Sequence, residues 1–473
     1  MKTDGVEKTA KSAEKVWSLA YNVLWPVIKK KKYKIGAEIG VAYGGHAEKI
    51  LSKTKVVLYC IDPYAHFDGY DDPMNVSNAE FNKLFKYTKS RLMKYSPRAK
   101  MIRKDSVAAL KSAPAELDFV YIDADHSYEG VSRDICNWFG KVRDGGIVSG
   151  HDYGHVNFPG VKRAVDEFFG RFGWEIHTHK SGVWWVEKKP VHISYIMPAY
   201  NCASTITESI TSIYGGNFEK GDELIVVDDK STDETISVVK KLKKKYHSIH
   251  LVTHAYNKGG GAARNTAVEH ANNSLIFCLD SDNILERNSV THLKKLLISS
   301  ENNEVVSFQK LKYFEKDTRI THHEWKFTYE VYSKENYLST NIVPGASGNY
   351  LFTKKVWEKV GGYPDYAGAL DTWGFGLRQV MSGTHIRIVP GTYYFHRVGR
   401  ESYWIRYSKE NSVSLTALQL LIPYLKYIRK ADINYIFSEK YRMRWLENLD
   451  KKPIRMLDEE NLVNKIFRWG KNK

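Results

Sequence analysis

The chain has 473 residues, 42% of them apolar and 26% charged, which excludes a largely disordered protein and favours roughly two to four domains. Its 71 basic and 54 acidic side chains give a formal net charge of +17. This surplus is spread over both ends of the chain, so no nucleic-acid partner is expected. Four cysteines without a Cys-x-x-Cys pair exclude a disulfide scaffold and the common structural zinc sites.

Residues 1–33 are predicted to form an N-terminal helix that packs on the first domain. Apolar side chains recur in this segment at helical spacing and would form one face of the helix: Trp17, Ala20, Tyr21, Leu24 and Val27. A lysine run at 29–32 follows directly and no small-residue cleavage site appears, so a secretion signal is the poorer interpretation.

Residues 34–189 alternate short apolar strands with helices, a pattern typical of a mainly parallel sheet covered on both faces. Strands are predicted at 37–41, 56–61, 119–122 and 147–149, with a closing hairpin at 174–177 and 183–186. A glycine-containing turn at 38–45 follows the first strand and would let a ligand approach the main chain. It lacks the Gly-x-Gly-x-x-Gly and Gly-Lys-Ser/Thr patterns, so a phosphate cradle is not favoured. Asp62 ends the second strand, where an acid can accept both hydroxyls of a ribose.

These features resemble the class I S-adenosylmethionine-dependent methyltransferases over about residues 34–187. The resemblance rests on blocks at 38–44, 59–62, 117–128 and 145–153, in that order. It implies a Rossmann-like sheet and S-adenosyl-L-methionine as the cofactor. The implied cofactor contacts are the methionine part with Glu38, Gly40 and Gly44, the ribose with Asp62, and the adenine with Asp105 and Ser106.

The catalytic part of this domain is predicted at the ends of adjacent strands, where Asp123, Asp125, His126, His151 and Asp152 lie. Some sugar and catechol O-methyltransferases of this class hold a metal at positions like Asp123, His151 and Asp152, and place a base at a position like His126. A divalent ion there could bind two substrate hydroxyls and lower the pKa of one. His151 replaces the usual carboxylate. The alternatives are therefore metal-assisted methylation, metal-free methylation, and a domain that has lost methyl transfer.

The pattern starts again near residue 190, which predicts a second α/β domain over 190–400. Strands are predicted at 193–197, 224–227 and 275–279, and Ser231 with Glu234 is predicted to form a capping box at the start of a helix. Each strand is followed by a polar cluster, at 198–201, 228–229 and 280–282. Asp280 and Asp282 would repel each other unless a cation lay between them, which suits Mg²⁺ or Mn²⁺ holding a diphosphate.

This set resembles the family 2 glycosyltransferases of the GT-A fold. The resemblance implies a nucleotide-diphospho-sugar donor bound by Pro198, Tyr200, Asn201, Asp229, Arg264 and Asp280. Within that set Tyr200 would stack on the base and Asp229 would hydrogen-bond it. The implied metal ligands are Asp280, Asp282 and His396, and the only candidate at the position of the catalytic base is Asp371.

The leading hypothesis is an enzyme with two activities on a glycan or glycolipid acceptor. With one base and no second nucleophile, sugar transfer would invert the anomeric carbon. The first domain would methylate a hydroxyl group, which in the leading hypothesis belongs to a sugar. The alternative is a glycosyltransferase whose N-terminal domain only binds cofactor or docks a partner.

Residues 401–473 are predicted to form a helical C-terminal extension. Its most apolar part is 415–428, which Pro423 interrupts. We expect this part to pack on the second domain, with peripheral contact to an anionic membrane as the alternative. No apolar run approaches the roughly 18 residues of a membrane-spanning helix. The sequence thus predicts a cytoplasmic enzyme. The alternative is a peripheral position at the inner face of the membrane.

Overall fold

The computed structural model describes residues 4–69, 74–300, 303–327, 329–337 and 348–399, together with 403, 407, 413–431 and 434. The chain divides into two compact units. The first comprises Met1–Pro190 and Ile298–Asn302, and the second comprises Val191–Leu297 and Asn303–Lys473. Each unit has its own sheet with helices, so the predicted α/β class with two sheets is confirmed.

The sheet of the first unit has seven strands in the order β3-β2-β1-β4-β5-β7-β6. The neighbours from β3 to β5 are parallel, whereas β7 is antiparallel to both β5 and β6. Because the strand order reverses beside β1, a ligand is expected beyond the carboxyl ends of β1 and β4. The strands are β1 Ile35–Ile39, β2 Val57–Ile61, β3 Ala99–Ile102, β4 Leu117–Ile122, β5 Val142–Gly150, β6 His177–Thr178 and β7 Trp184–Glu187.

The helices of the first unit connect these strands and precede the sheet. They are α1 Asp4–Trp17, α2 Leu24–Lys31, α3 Gly45–Lys53, α4 Asn78–Met93, α5 Ser106–Ala109, α6 Tyr128–Phe139 and α7 Pro159–Gly170. The N-terminal segment is not the single helix that the spacing predicted, because a 3₁₀ turn at Ala20–Asn22 separates α1 from α2. Ala20 and Leu24 are nevertheless buried in the core under the sheet, so the packing of the segment on this unit is confirmed.

The sheet of the second unit has ten strands, with the path β10-β9-β8-β11-β16-β13-β17-β12. The first four strands of this path are parallel neighbours, β16 is antiparallel to β11 and β13, and the long strands β13 and β17 are parallel. The strands are β8 Ile193–Ala199, β9 Glu223–Asp228, β10 Ile249–Thr253, β11 Leu275–Cys278, β12 Ile284–Leu285, β13 Glu304–Phe314, β14 Thr321–Lys326, β15 Val331–Tyr332, β16 Tyr350–Thr353 and β17 His385–Arg397.

The helices of the second unit are α8 Ile206–Tyr214, α9 Thr235–Lys245, α10 Gly260–Glu269, α11 Ser289–Ile298, α12 Lys354–Val360 and α13 Asp371–Met381. The predicted capping box is wrong. Helix α9 starts at Thr235 after Glu234, whose side chain caps nothing, and Ser231 Oγ instead accepts a hydrogen bond from the backbone of Asn201. A 3₁₀ segment, Asp365–Leu370, leads directly into α13.

The C-terminal extension is described only in part, and residues 435–473 lie outside the described residues. Helix Val413–Leu421 continues as a 3₁₀ segment, Ile422–Tyr427, which contains Pro423. Leu420 and Leu421 are buried, and a Cβ added to Gly374 of α13 would lie 2.9 Å from Leu420 Cδ2. This helix therefore packs on its own unit, as the sequence predicted. No helix in the described part of the chain has both the length and the apolar character needed to cross a bilayer.

Candidate functional sites

The turn after β1 can be built only with glycine at its first position. Gly40 has φ +83°, and a Cβ there would lie 1.9 Å from the carbonyl oxygen of Asp123. The main chain of the turn therefore lies directly against the end of β4. Gly44, with φ +74°, is the N-cap residue of α3.

This close approach gives a stability prediction for Gly40→Ala. The methyl group would meet a backbone oxygen that cannot move aside, so we expect scanning calorimetry of the full chain to show the first unit destabilised by several kcal/mol. The control is Gly154→Ala, which has φ +80° but nothing within 4 Å of the added Cβ and should cost about 1–2 kcal/mol. Equal losses in the two variants would contradict the packing argument.

Asp62, predicted to hold a ribose, holds the glycine turn in shape. Its Oδ2 accepts hydrogen bonds from the backbone of Val41 and Ala42 at 3.0 Å each, and its Oδ1 accepts one from Tyr64 N at 2.8 Å. Burial raises the pKa of Asp62, and the three backbone donors oppose that shift. The ribose contact stays a prediction beside this structural role.

A cavity of about 670 Å³ lies at the carboxyl ends of β1 and β4, a size typical of small-molecule sites. It brings together nearly all residues predicted for the first unit; Gly44 is not on its wall. The predicted residues on the wall are Glu38, Gly40, Asp62, Asp105, Ser106, Asp123, Asp125, His126, His151 and Asp152.

The cavity wall also contains residues that the sequence analysis missed. Trp17 and Tyr21 come from the N-terminal segment, and Asp134 comes from α6. Aromatic residues on an apolar helix face cannot be told from core residues by spacing, so no signal in the sequence marked Trp17 or Tyr21.

Asp134 is a buried carboxylate at the Ser106 end of the cavity, where it accepts a hydrogen bond from Ser106 Oγ. Burial raises its pKa to about 6, although the Ser106 hydrogen bond opposes the shift. Asp105 is occupied locally, because its Oδ1 caps α5 through Val107 N and Ala108 N. The two acids near the predicted adenine position thus differ in their surroundings. Asp105 caps a helix, whereas Asp134 is buried.

The raised pKa of Asp134 gives a pH-dependent prediction. Since the folded pKa of about 6 exceeds the unfolded value of about 3.9, the contribution of Asp134 to stability is fully present below about pH 4 and is lost as the pH rises through 6. Asp134→Asn keeps an acceptor for Ser106 without a charge. Its stability relative to wild type should therefore rise by about 3 kcal/mol between pH 4 and pH 8. Denaturant titrations at both pH values check this, and a difference that does not change with pH would contradict it.

Four side chains form a polar cluster at the ends of β4 and β5. His126 Nε2 lies 3.3 Å from Asp123 Oδ1 and 3.1 Å from Asp152 Oδ2, and the ring of His126 stacks on Phe158. His151 Nδ1 lies 3.2 Å from Asp152 Oδ2, and its Nε2 lies 2.9 Å from the carbonyl oxygen of Ser181.

The neighbouring carboxylates determine the charge of His151. Burial opposes a charge on His151, but the hydrogen bond with Asp152 and the charge of Asp123 outweigh it and raise the pKa of His151 to about 9. Burial would raise the pKa of Asp152, but its contacts with His126 and His151 hold the pKa well below the usual range. His151 is thus a cation that pairs with Asp152.

The geometry favours a different metal-binding group from the predicted one. Within the described residues, ligand atoms of Asp123, His126 and Asp152 all lie within 4.8 Å of one another. His151 does not belong to this group. Ligand atoms about 2.1 Å from one octahedral ion lie about 3 Å apart, which fits the distances from His126 Nε2 to the two carboxylates. With His126 as a ligand, Nε2 could not also act as the base, so this metal-binding group and the predicted role of His126 as the base exclude each other.

In the second unit, Arg264 joins the two carboxylates that were predicted to carry the chemistry. From α10 its Nη1 lies 2.5 Å from Asp371 Oδ2, and its Nη2 lies 2.6 Å from Asp280 Oδ1. Asp371 is the first residue of α13, and Asp280 follows β11. The fork of the guanidinium matches this arrangement of two acids. The structure therefore brings together three of the predicted residues, Arg264, Asp280 and Asp371.

The first turn of α10 is glycine because no side chain fits beside this cluster. A Cβ on Gly260 would lie 2.8 Å from Arg264 Nη1 and 2.9 Å from Asp371 Oδ2, and one on Gly261 would lie 2.9 Å from the carbonyl oxygen of Pro364. The glycine run of the sequence thus serves close packing of charged groups.

Asp371 is buried, with 3% of its surface exposed. Burial raises the pKa of this carboxyl, and the charge of Arg264 opposes the shift. Its other oxygen accepts a hydrogen bond from the backbone of Thr372 at 2.6 Å. A carboxylate with a raised pKa is better suited to take a proton from a hydroxyl than an exposed one.

Asp229 fixes the loop that leads into α10. Its Oδ1 accepts a hydrogen bond from Lys258 N at 2.8 Å and lies 2.7 Å from His254 Nδ1, and its Oδ2 accepts one from Gly259 N at 2.7 Å. His254, which the sequence analysis missed, lies 3.0 Å from Thr266 Oγ1 through its other ring nitrogen. The base contact predicted for Asp229 stays a prediction.

Asp282 and His396 have the features of an incomplete ligand set. Burial, together with the neighbouring charge of Asp280, raises the pKa of Asp282 to about 7. Burial lowers the pKa of His396, and its buried Nδ1 has no hydrogen-bond partner within the described part of the chain. A neutral imidazole and two neighbouring carboxylates fit a divalent cation, although their ligand atoms do not all lie within 4.8 Å of one another as those of Asp123, His126 and Asp152 do.

Asn349 is a buried residue of this site that the sequence did not mark. Its Oδ1 accepts a hydrogen bond from Asp280 N at 2.8 Å, and its Nδ2 donates to Asp280 Oδ2 at 3.2 Å. It therefore fixes the orientation of the Asp280 carboxylate.

The predicted base-binding residues lie where β8 ends. Pro198 pairs with Val227 of β9, and the Tyr200 side chain that follows is 40% exposed, as a stacking surface must be. Asn201 has φ +48°, and its Oδ1 accepts a hydrogen bond from Thr232 N at 2.8 Å. Together with Asp229 they line one edge of the sheet.

The structure is that of a two-domain α/β protein, with a cavity at the carboxyl ends of parallel strands in the first domain and a charged cluster around Arg264 in the second. Residues 35–153 match the family model described as "Methyltransferase domain", and residues 194–361 match the model described as "Glycosyl transferase family 2". The predicted resemblance to these two families, in this order along the chain, is thereby confirmed.

Several curated glycosyltransferases match parts of the chain. The poly(ribitol-phosphate) beta-glucosyltransferase of Bacillus spizizenii is 35% identical over 122 residues, which are 25% of this chain and 19% of that protein. The UDP-Glc:alpha-D-GlcNAc-diphosphoundecaprenol beta-1,3-glucosyltransferase WfgD of Escherichia coli is 42% identical over 92 residues, 20% of this chain and 35% of that protein. The chain thus spans about a third or less of the length of these two relatives.

Two solved structures are similar at low identity. Staphylococcus aureus TarS 1–349 in complex with UDP-GlcNAc has a TM-score of 0.41 and 16% identity, over 58% of this chain and 79% of that one. The mannosyltransferase PcManGT from Pyrobaculum calidifontis, in complex with GDP-Man and Mn²⁺, has a TM-score of 0.39 and 18% identity, over 59% of this chain and 83% of that one.

Proposed function

We propose that the second unit transfers a sugar from a nucleotide-diphosphate donor to a hydroxyl of a glycan or glycoconjugate. The observation that carries this proposal is the cluster in which Arg264 holds Asp280 and Asp371 together. The curated relatives support the donor class, since WfgD is named for UDP-Glc. Their names also support a polyol-phosphate or lipid-diphosphate acceptor.

In this proposal Asp371 is the general base. Its buried position and raised pKa suit it to remove the proton from the acceptor hydroxyl as that oxygen attacks the anomeric carbon. With one base and no second positioned nucleophile among the described residues, the product is expected to have inverted configuration. Tyr200 and Asp229 are the proposed contacts to the base of the donor, Pro198 and Asn201 line the same edge, and Arg264 is the proposed contact to its nucleotide part.

The proposed metal ligands of this unit are Asp280, Asp282 and His396. A divalent cation there, Mn²⁺ or Mg²⁺, would neutralise the departing diphosphate. Asn349 keeps Asp280 oriented for this role through its two hydrogen bonds. Asp282, with a pKa raised to about 7, would give up its proton to bind the cation.

The test is a screen for nucleotide-sugar hydrolysis by the full chain with Mn²⁺, Mg²⁺ or EDTA. We expect one donor to be hydrolysed in the presence of a divalent cation and turnover to stop when EDTA is added. Turnover of no nucleotide sugar under any of these conditions would contradict the proposal.

We propose that the first unit binds S-adenosyl-L-methionine in the cavity of about 670 Å³ and methylates a sugar hydroxyl. The supporting observations are the glycine cradle at Gly40 and the acids that surround the cavity. The cofactor supplies the methyl group when bound. His126, between Asp123 and Asp152, is placed to take the hydroxyl proton or to bind a divalent cation, but not both.

Calorimetric titration of S-adenosyl-L-methionine, followed by transfer of a labelled methyl group to glycans, tests this second activity. Binding with transfer supports it. Binding without transfer to any glycan would mean that the unit binds the cofactor without catalysis. Absence of binding would contradict the cofactor proposal and would favour a unit that docks a partner.

A further inference from the structure

One end of the cavity in the first unit is formed by the N-terminal segment, which precedes the matched family region. Tyr21, in the 3₁₀ turn between α1 and α2, covers the start of α3. A Cβ on Gly45 would lie 2.6 Å from Tyr21 Cε2 and 2.9 Å from its hydroxyl oxygen. The phenol therefore lies against the first residue of α3, and only glycine permits this approach.

The Tyr21 hydroxyl has no hydrogen-bond partner among the described residues, and Tyr21 lines the cavity. Burial raises the pKa of this phenol, and the charges of Asp123 and Glu38 raise it further. The hydroxyl is therefore a protonated donor that belongs to a residue of the cavity wall and has no partner among the described residues. A hydroxyl so placed is expected to find its partner in the ligand.

The surroundings of this hydroxyl suit a zwitterion. Helix α3 has nine residues, and the backbone N–H groups of its first turn have no intrahelical partner, which favours an anion. His46, 5% exposed, lines the same cavity, and its Nε2 has no partner within the described residues. Glu38 and Asp123 also line the cavity, where their carboxylates favour a cation, and Glu38 Oε2 lies 3.2 Å from Nδ1 of the same His46.

The segment that carries Tyr21 is fixed in place. Ala20 and Leu24 on either side of it are buried in the core. Arg91 of α4 pairs with Glu14 of α1 and also with Glu48 of α3, with Arg91 Nε 2.6 Å from Glu48 Oε2. The position of Tyr21 over Gly45 is thus supported from both sides.

We propose that residues 4–31 are part of the methyl-donor site and that Tyr21 binds the amino-acid end of the ligand. Its hydroxyl donates to the ligand's carboxylate at the start of α3, while Glu38 and Asp123 lie on the side of the ligand's ammonium group. This inference rests on the proposed binding of S-adenosyl-L-methionine by this unit.

The test compares two ligands that differ only at that end. S-adenosylhomocysteine has the amino-acid group, and 5′-methylthioadenosine lacks it. Calorimetric titration of the full-length Tyr21→Phe variant should show S-adenosylhomocysteine binding weakened about 10–100-fold, the effect expected for loss of a hydrogen bond to a charged group. Binding of 5′-methylthioadenosine should not change, because phenylalanine keeps the ring on Gly45.

The matched control is Tyr33→Phe. Tyr33 also belongs to the first unit, but its hydroxyl donates to the carbonyl oxygen of Gly145 at 2.7 Å, away from the cavity. This variant should bind both ligands as wild type does. Unchanged binding of S-adenosylhomocysteine by Tyr21→Phe, or equal weakening of both ligands, would overturn the inference. A wild-type chain that binds neither ligand would instead overturn the proposed cofactor function itself.

Discussion

Asp371→Asn will lower the rate of sugar transfer by about 10²–10⁴-fold, the contribution typical of a general base, while the affinity for the donor stays close to that of wild type. The amide has almost the same shape as the carboxylate, and its one oxygen can still accept the hydrogen bond from Arg264, although its NH₂ group cannot accept the one from Thr372. It cannot take the proton from an acceptor hydroxyl. Transfer of labelled sugar and calorimetric donor binding, measured on the same preparation, separate the two effects.

The control for this experiment is Asp365→Asn. Asp365 lies in the 3₁₀ segment just before Asp371, but its side chain is exposed. Its removal should leave both transfer and donor binding unchanged. Transfer at the wild-type rate by Asp371→Asn would show that another group takes the proton. A product of wild type with retained anomeric configuration would also contradict a single base at Asp371.

The sequence predicted best the features that depend on strand ends. Polar residues after apolar strands converge because parallel strands finish at one edge of a sheet. That rule placed Glu38, Asp62 and Asp123 around one cavity and put Asp280 into the second site. The structure agrees with this rule for the strands that the sequence predicted from their apolar runs.

The sequence could not predict which polar groups pair with each other. Arg264 and Asp371 are 107 positions apart, and their contact depends on the packing of α10 against α13. His126 lies 3.3 Å from Asp123, whereas one ring nitrogen of His151 lies 2.9 Å from the Ser181 carbonyl oxygen, and nothing in the sequence distinguishes the two histidines in this way. Contacts of this kind are set by side-chain direction after folding, which a pattern of residue types does not contain.

Local patterns also failed where tertiary contacts outweighed them. Ser231 and Glu234 have the spacing of a capping box, but the Ser231 hydroxyl is already occupied by the backbone of Asn201 at the end of β8. Tyr21 fitted an apolar helix face, yet it lines a cavity because the helix breaks at Ala20–Asn22. The N-terminal segment was therefore assigned to packing alone, when it also forms a wall of the site.

The second large effect is expected from Arg264→Leu. Arg264 and Asp371 have side chains only 10% and 5% exposed, and Asp280 is 25% exposed. Removing one partner of a buried charged cluster leaves the others uncompensated, which typically costs about 3–5 kcal/mol. We therefore expect the second unit to unfold at a clearly lower denaturant concentration in this variant, although leucine retains much of the apolar volume.

The double variant Arg264→Leu/Asp371→Asn separates charge from packing. If the loss comes from the uncompensated charge of Asp371, then neutralising that residue in the leucine background should recover a large part of the stability, whereas Asp371→Asn alone should not stabilise the chain. Such non-additivity is expected only for groups in direct contact. Arg319→Leu is the control for a surface ion pair, because Arg319 is 88% exposed and, within the described part of the chain, pairs with Asp317 alone, so no measurable loss is expected. A double variant as unstable as Arg264→Leu would mean that the arginine acts through its volume, and the charged cluster would then not be what holds α10 and α13 together.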